Sequence, residues 1–165
     1  MKKQLAQQHG FSLITLVFLA GIGILGYFVL QQYNPLAGSL DKKRKEDLGK
    51  VQEALGRYYD DNKKYPRVGR DYLMVHGYPV EWGAVWKPYL EPVPKDPDLT
   101  LKKRYVYFAT EDGQAYWLYA SLDNNQDGRV CNVGNACFSL SDNGISETAC
   151  GGVCNYGVSS SNTSP

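Results

Sequence analysis

Six consecutive residues, Asp123-Asn124-Asn125-Gln126-Asp127-Gly128, place oxygen-bearing side chains at alternate positions ahead of a glycine, the D-x-N-x-D-G opening of a calcium loop. Oxygens of Asp123, Asn125 and Asp127 and the carbonyl of Arg129 can converge on a hard cation while the glycine permits the sharp turn. The twelfth position, a bidentate Glu in an EF-hand, is Gly134, so Glu147 or Asp142 would have to close a Ca²⁺ site from elsewhere. Asp, Asn and Gly are also ordinary turn formers, and a metal-free β-turn stands beside the calcium reading. Four cysteines follow, Cys131, Cys137, Cys150 and Cys154. In an oxidising compartment they form disulfides, either as the local pairs Cys131–Cys137 and Cys150–Cys154 or as crossed pairs. The rival, a four-thiolate zinc site, fits the spacings poorly.

Other chemistry is sparse. His9 and His76 are far apart in the chain and the Ser-rich end is not set in a nucleophile elbow, so enzyme activity is not expected. With 18 Lys and Arg against 17 Asp and Glu, no basic field is available to hold phosphates, and nucleic acid is not indicated as a partner.

The elements that must position the loop and the cysteines are legible in outline. At 165 residues the chain has room for one globular unit. Residues 104–110 (Arg-Tyr-Val-Tyr-Phe-Ala-Thr) and 115–122 (Ala-Tyr-Trp-Leu-Tyr-Ala-Ser-Leu) are β-rich and flank Asp112-Gly113, which predicts an antiparallel hairpin ending just before the acidic loop. Upstream, Leu40, Leu48, Val51, Leu55 and Tyr58 recur at helical spacing, flanked by Ala54 and Tyr59. Lys42, Lys43, Arg44, Lys45, Glu46 and Lys50 take the opposite side. That basic cluster reads as a solvated face or as a contact for anionic lipid headgroups. The breaker cluster at 34–39 predicts an interruption and a helix start near Ser39–Asp41, and Tyr65-Pro66 predicts its stop. Between helix and hairpin, residues 68–100 carry five prolines and read as a connecting segment, and residues 157–165 as a weakly ordered polar end.

Phe11 through Leu30 is twenty residues without a charge, opened by Lys2 and Lys3. At 1.5 Å per residue such a helix crosses a hydrocarbon core of about 30 Å. It is longer than a cleaved signal core and no A-x-A-like site follows it. The basic flank places the N-terminus in the cytoplasm, on a single pass through the cytoplasmic membrane, and the polar remainder outside.

The run Met1-Lys2-Lys3 to Gly10, followed by Phe11-Ser12-Leu13-Ile14-Thr15-Leu16-Val17, resembles the prepilin leader of type IV pilins and type II secretion pseudopilins. The stretch from Asp41 to Arg67 and the piece Tyr89-Leu90-Glu91-Pro92-Val93-Pro94-Lys95-Asp96-Pro97 extend the likeness. The resemblance implies cleavage between Gly10 and Phe11, methylation of the new Phe11 amine, and assembly through the N-terminal helix. It departs at the fifth mature position, where Thr15 stands in place of the usual Glu, as in some minor subunits. It also implies calcium in the region after the hairpin.

The expected fold is α+β and pilin-like: a long N-terminal helix, half membrane and half amphipathic, packed on a small antiparallel β-sheet. Its parts are a leader (1–10), a transmembrane or filament-core helix (11–34), an amphipathic half (35–67), an exported β-domain with its connecting loop (68–156) and the polar end (157–165). The resemblance implies as partners other copies or related pilin subunits, prepilin peptidase, an inner-membrane platform with a motor ATPase, and lipid before assembly. The subunit would end in a filament at the cell surface. The alternatives are a secretion pseudopilin, and a signal-anchored exported binding domain that never polymerises.

Overall fold

The computed structural model describes residues 13–32, 35–68, 72–75, 78–98, 100 and 102–165. Gly10, Phe11, His9, His76 and Asn34 lie outside the described residues; the rest of the expected breaker cluster, Pro35 to Ser39, is helical, which corrects the interruption expected there. Helix α1 (Leu13–Gln32) belongs to one compact unit, Met1–Pro35, and the remainder of the fold to a second, Leu36–Pro165. Thr15 sits in α1 and is exposed. Among the described residues no helix is long and apolar enough to cross a membrane.

Helix α2 (Pro35–Asn62) starts ahead of the expected Ser39–Asp41, because proline at the first helical position sacrifices only an N–H that has no intrahelical partner. It ends where expected, with Lys63 in the left-handed region (φ 56°) and its N–H donated to the Tyr59 carbonyl at 2.7 Å. Leu48, Val51, Ala54 and Leu55 are wholly buried and Tyr58 nearly so, the face that the spacing predicts.

Two three-stranded antiparallel sheets follow. The first, β1 (Arg67–Val68), β2 (Tyr72–Val75) and β3 (Tyr78–Glu81), corrects the reading of residues 68–100 as connection alone. Pro79 is accommodated in β3, opposite Met74. The second sheet has the order β4 (Val106–Ala109), β5 (Tyr116–Ala120), β6 (Tyr156–Ser159). Its first two strands are the expected hairpin, with Val106 opposite Tyr119 and Ala109 opposite Tyr116. Gly113 in the turn has φ +70°, and a Cβ there would lie 2.9 Å from Lys64 Cβ and 3.1 Å from the Tyr65 carbonyl, so the segment that leaves α2 is packed onto the hairpin turn. The third strand comes from the supposed polar end. Gly157 pairs with Tyr119 and Ser159 with Trp117, and the Trp117 indole N–H reaches the Ser164 carbonyl at 2.8 Å. A short polar strand carries no apolar periodicity, which is why composition alone misreads it as disorder.

The β4-β5-β6 sheet is covered on both faces. Tyr105, Tyr107, Tyr116, Leu118 and Ala120 pack with the apolar stripe of α2. On the opposite face Tyr119 packs with Cys137, Leu140, Cys150 and Cys154, the crossover between β5 and β6 that includes α3 (Ser139–Asp142). Both disulfides are local, Cys131–Cys137 and Cys150–Cys154. They leave the crossed alternative and the zinc reading without thiols. Gly151 (φ +77°) marks where the crossover meets the segment before β4: a Cβ would lie 1.7 Å from the Lys102 carbonyl oxygen. No other residue fits that backbone approach.

Two substitutions separate the buried from the open face of α2. In the full-length chain in detergent, Leu55→Ala is expected to lower the unfolding free energy by about 2–4 kcal/mol, seen as a lower urea midpoint at unchanged slope. Gly56→Ala is expected to raise it by about 0.5–1 kcal/mol, since Gly56 is exposed and a Cβ there meets nothing within 4 Å.

Candidate functional site

The buried stripe of α2 does not end with its leucines. Continued toward the N-terminus at steps of three and four, it runs through Asp47, Arg44 and Asp41, and all three are buried. Arg44 is 1% exposed, which corrects its placement on a solvated basic face. A buried guanidinium is tolerable only when its donors are met by acceptors, preferably anionic ones.

Three carboxylates meet them. Arg44 Nη1 donates to Asp41 Oδ1 at 2.8 Å, one turn back on the helix, and to Asp123 Oδ2 at 2.7 Å, at the head of the acidic loop. Its Nε donates to Asp96 Oδ2 at 3.0 Å and Nη2 to Asp96 Oδ1 at 3.2 Å, the forked geometry that a planar guanidinium favours. Burial works against the charged form of Arg44, but the hydrogen bonds to Asp96 and Asp123 outweigh it and hold the pKa above its ordinary value. The carboxylates are in turn fully used. Asp41 accepts the backbone N–H groups of Asp123 and Asn124, each at 2.8 Å, and Asp96 accepts that of Asp98 at 2.9 Å. One arginine thus ties α2 to the proline-rich segment and to the loop after β5.

Flanking pairs extend the network. Asp47 is wholly buried, pairs with Lys43 and accepts the Tyr105 hydroxyl at 3.0 Å. Burial, followed by the nearby Asp47 charge, pushes the Tyr105 phenol far above its ordinary pKa. Lys103, just before β4, donates to Asp123 Oδ1 at 2.5 Å and to the Ser121 carbonyl at 3.2 Å, while Lys45 donates to Asp127 Oδ2 at 2.5 Å. Asp123 is held below the ordinary carboxylate range: partial burial opposes this, but Lys103 and Arg44 prevail. The Lys45 hydrogen bond lowers Asp127 likewise, against a smaller opposing contribution from burial.

The acidic loop itself is a set of turns. Asp127 N–H reaches the Asn124 carbonyl at 3.3 Å, Gln126 N–H the Asn124 side chain at 3.1 Å, and Arg129 N–H the Asp127 Oδ1 at 3.0 Å. The structure keeps Asp123, Asn125, Asp127 and Arg129 in one segment, but among the described residues no three His, Cys, Asp or Glu side chains gather as a metal cage. Glu147 lines a separate groove of about 250 Å³ with Asn132, Asn135, Phe138 and Ser141, and Asp142 ends α3. Sequence reading overlooked Arg44, Asp41, Asp47, Asp96 and Lys103. The signal was present in the phase of positions 41, 44 and 47 with the apolar stripe.

Comparison with family models, curated proteins and solved structures yields no match for this chain.

Arg44→Met leaves the buried carboxylates of Asp41 and Asp96 without their cation, and is expected to cost about 3–5 kcal/mol of stability in urea unfolding. Arg44→Lys should recover little of it, since one ammonium cannot reproduce a fork reaching three carboxylates. Because the folded-state pKa values of Asp123 and Asp127 are lowered, their contribution is complete above the ordinary carboxylate range and is lost as pH falls through the lowered values. Lys45→Met should therefore shrink the acid-side loss in a pH series of unfolding midpoints.

Proposed function

We propose that this protein is a non-enzymatic subunit of a type IV pilus-like filament, made with a leader that ends at Gly10 and matured at Phe11. The observation that carries the reading is helix α1. Its twenty residues hold no charge, and its large side chains stand open to solvent in the isolated chain: Val17 is 65% exposed, Phe18 71% and Leu25 67%. Such a surface requires lipid before assembly and neighbouring helices afterwards. The prepilin-like residues around Gly10 and the packing of α2 on an antiparallel sheet support the same reading.

In this reading prepilin peptidase removes the cationic leader from the cytoplasmic side of the membrane, and a motor-driven inner-membrane platform lifts the subunit out. The apolar helix is then reburied among copies or related subunits at the cell surface. Thr15, where the family's buried Glu would pair with a neighbouring amine, makes a minor position in the filament the better fit. A hydroxyl can return its hydrogen bond to its own helix and needs no charged partner in lipid.

A second reading, a pseudopilin of a secretion system, is favoured by one contact: Asp96, in the segment whose Pro-Lys-Asp-Pro pattern resembles that group, is the forked partner of Arg44. Both share the processing step.

Mass spectrometry of the N-terminal peptide, from protein isolated out of native host membranes, tests that step. An N-methylated Phe11 end is expected. An intact Met1 or Lys2 end would overturn the proposal in favour of a plain anchored domain, and a start beyond Leu30 would mean ordinary secretion.

A further inference from the structure

The loop Asp123 to Gly128 is spelled like a calcium loop, yet protein cations already meet its carboxylates. Asp123 presents Oδ2 to Arg44 Nη1 (2.7 Å) and Oδ1 to Lys103 Nζ (2.5 Å), which engages both oxygens. Asp127 presents Oδ2 to Lys45 Nζ (2.5 Å) and Oδ1 to the Arg129 N–H (3.0 Å), again using both. A calcium ion needs six to eight oxygens at about 2.3–2.6 Å, converging on one point. These four oxygens are directed to four different donors. Where an EF-hand would place its closing Glu, Gly134 closes the loop through its backbone instead, donating to the Asn125 carbonyl at 3.3 Å.

The charge around the loop is also nearly satisfied. Arg44, Lys45 and Lys103 stand against Asp41, Asp96, Asp123 and Asp127, three cations to four carboxylates, with Asp41 further neutralised by two backbone N–H groups. A divalent ion brought into this setting would face the Lys45 and Lys103 ammoniums at close range, a repulsion weakly screened because their side chains are only 10% and 17% exposed.

We propose that Arg44, Lys45 and Lys103 take the place of the divalent cation in this loop, so that the exported domain closes without calcium, and that Lys45 and Lys103 are the residues that exclude it. Arg44 and Lys45 come from α2 and Lys103 from the segment before β4, so the charges that neutralise the loop also anchor it to helix and sheet. A bound ion would gather the loop's oxygens without that anchorage. Closure of the domain is therefore indifferent to the calcium content of the compartment it enters. This inference is independent of whether the chain polymerises.

The test is thermal unfolding of the full-length protein in detergent, in EDTA, in millimolar calcium chloride and in millimolar magnesium chloride, together with a calorimetric calcium titration. Wild type is expected to unfold at the same midpoint in all three and to show no calcium heat. In Lys45→Met/Lys103→Met one oxygen each of Asp123 and Asp127 is released, while Arg44 still holds Asp123 to the helix. That variant is expected to lose midpoint in EDTA and to regain it with calcium but not with magnesium. Should it fail to fold in EDTA, Lys103→Met alone is read in the same assay. A wild-type midpoint that falls in EDTA and returns with calcium would overturn the proposal. So would a folded variant whose lost midpoint calcium does not restore, because the lysines would then be ordinary ion pairs rather than substitutes for a metal.

Discussion

The structure of the globular unit depends on one buried arginine being surrounded by acceptors on three separate segments. Arg44 cannot be withdrawn to solvent without dragging its helix, and Asp41 and Asp96 cannot be left in the interior without it. That mutual requirement fixes where the proline-rich segment crosses α2 and where the chain turns after β5. An isolated buried ion pair is weak support for a fold, since desolvation offsets the attraction. Here the remaining lone pairs are met by the backbone N–H groups of Asp123, Asn124 and Asp98, so the network carries specificity: an apolar core tolerates sliding, whereas a forked guanidinium does not.

Around that constraint the two halves of α2 divide the work. The C-terminal half buries Leu48, Val51, Leu55 and Tyr58 against the sheet, at about 1.5–3 kcal/mol per large side chain. The N-terminal half buries charge. The sheet's other face would be left wet by a simple helix-on-sheet fold, but it is closed by the β5-to-β6 crossover, whose two short disulfide loops stiffen a segment with little apolar content of its own. Tyr119, wholly buried, joins the layers through its hydroxyl, which meets Ser139 and Asn143.

Long, regular signals survived the passage from sequence to structure and short polar ones did not. The stripe from Leu48 to Tyr58 and the hairpin on either side of Asp112-Gly113 are periodic, and each found its place. The strands at 67–81 are short and interrupted by proline, and β6 reads Tyr-Gly-Val-Ser. Neither has a period that betrays it, and each exists because a neighbouring strand presents a row of unpaired backbone groups. The acidic loop shows the other kind of limit. Its spelling names the ligand atoms available, and their direction depends on which cations fold against them.

The sequence by itself determined the α+β class, the amphipathic helix with its sheet-facing stripe, the hairpin and the confinement of all four cysteines to residues 131–154, because periodicity and residue type act over short distances along the chain. Only the tertiary structure decided which cysteines pair, that the last strand is drawn from the C-terminal end, and that Arg44 points inward to carboxylates 3, 52 and 79 residues away. Those outcomes rest on partners distant in sequence, and the free energy of a charge is set by what surrounds it rather than by the chain that carries it.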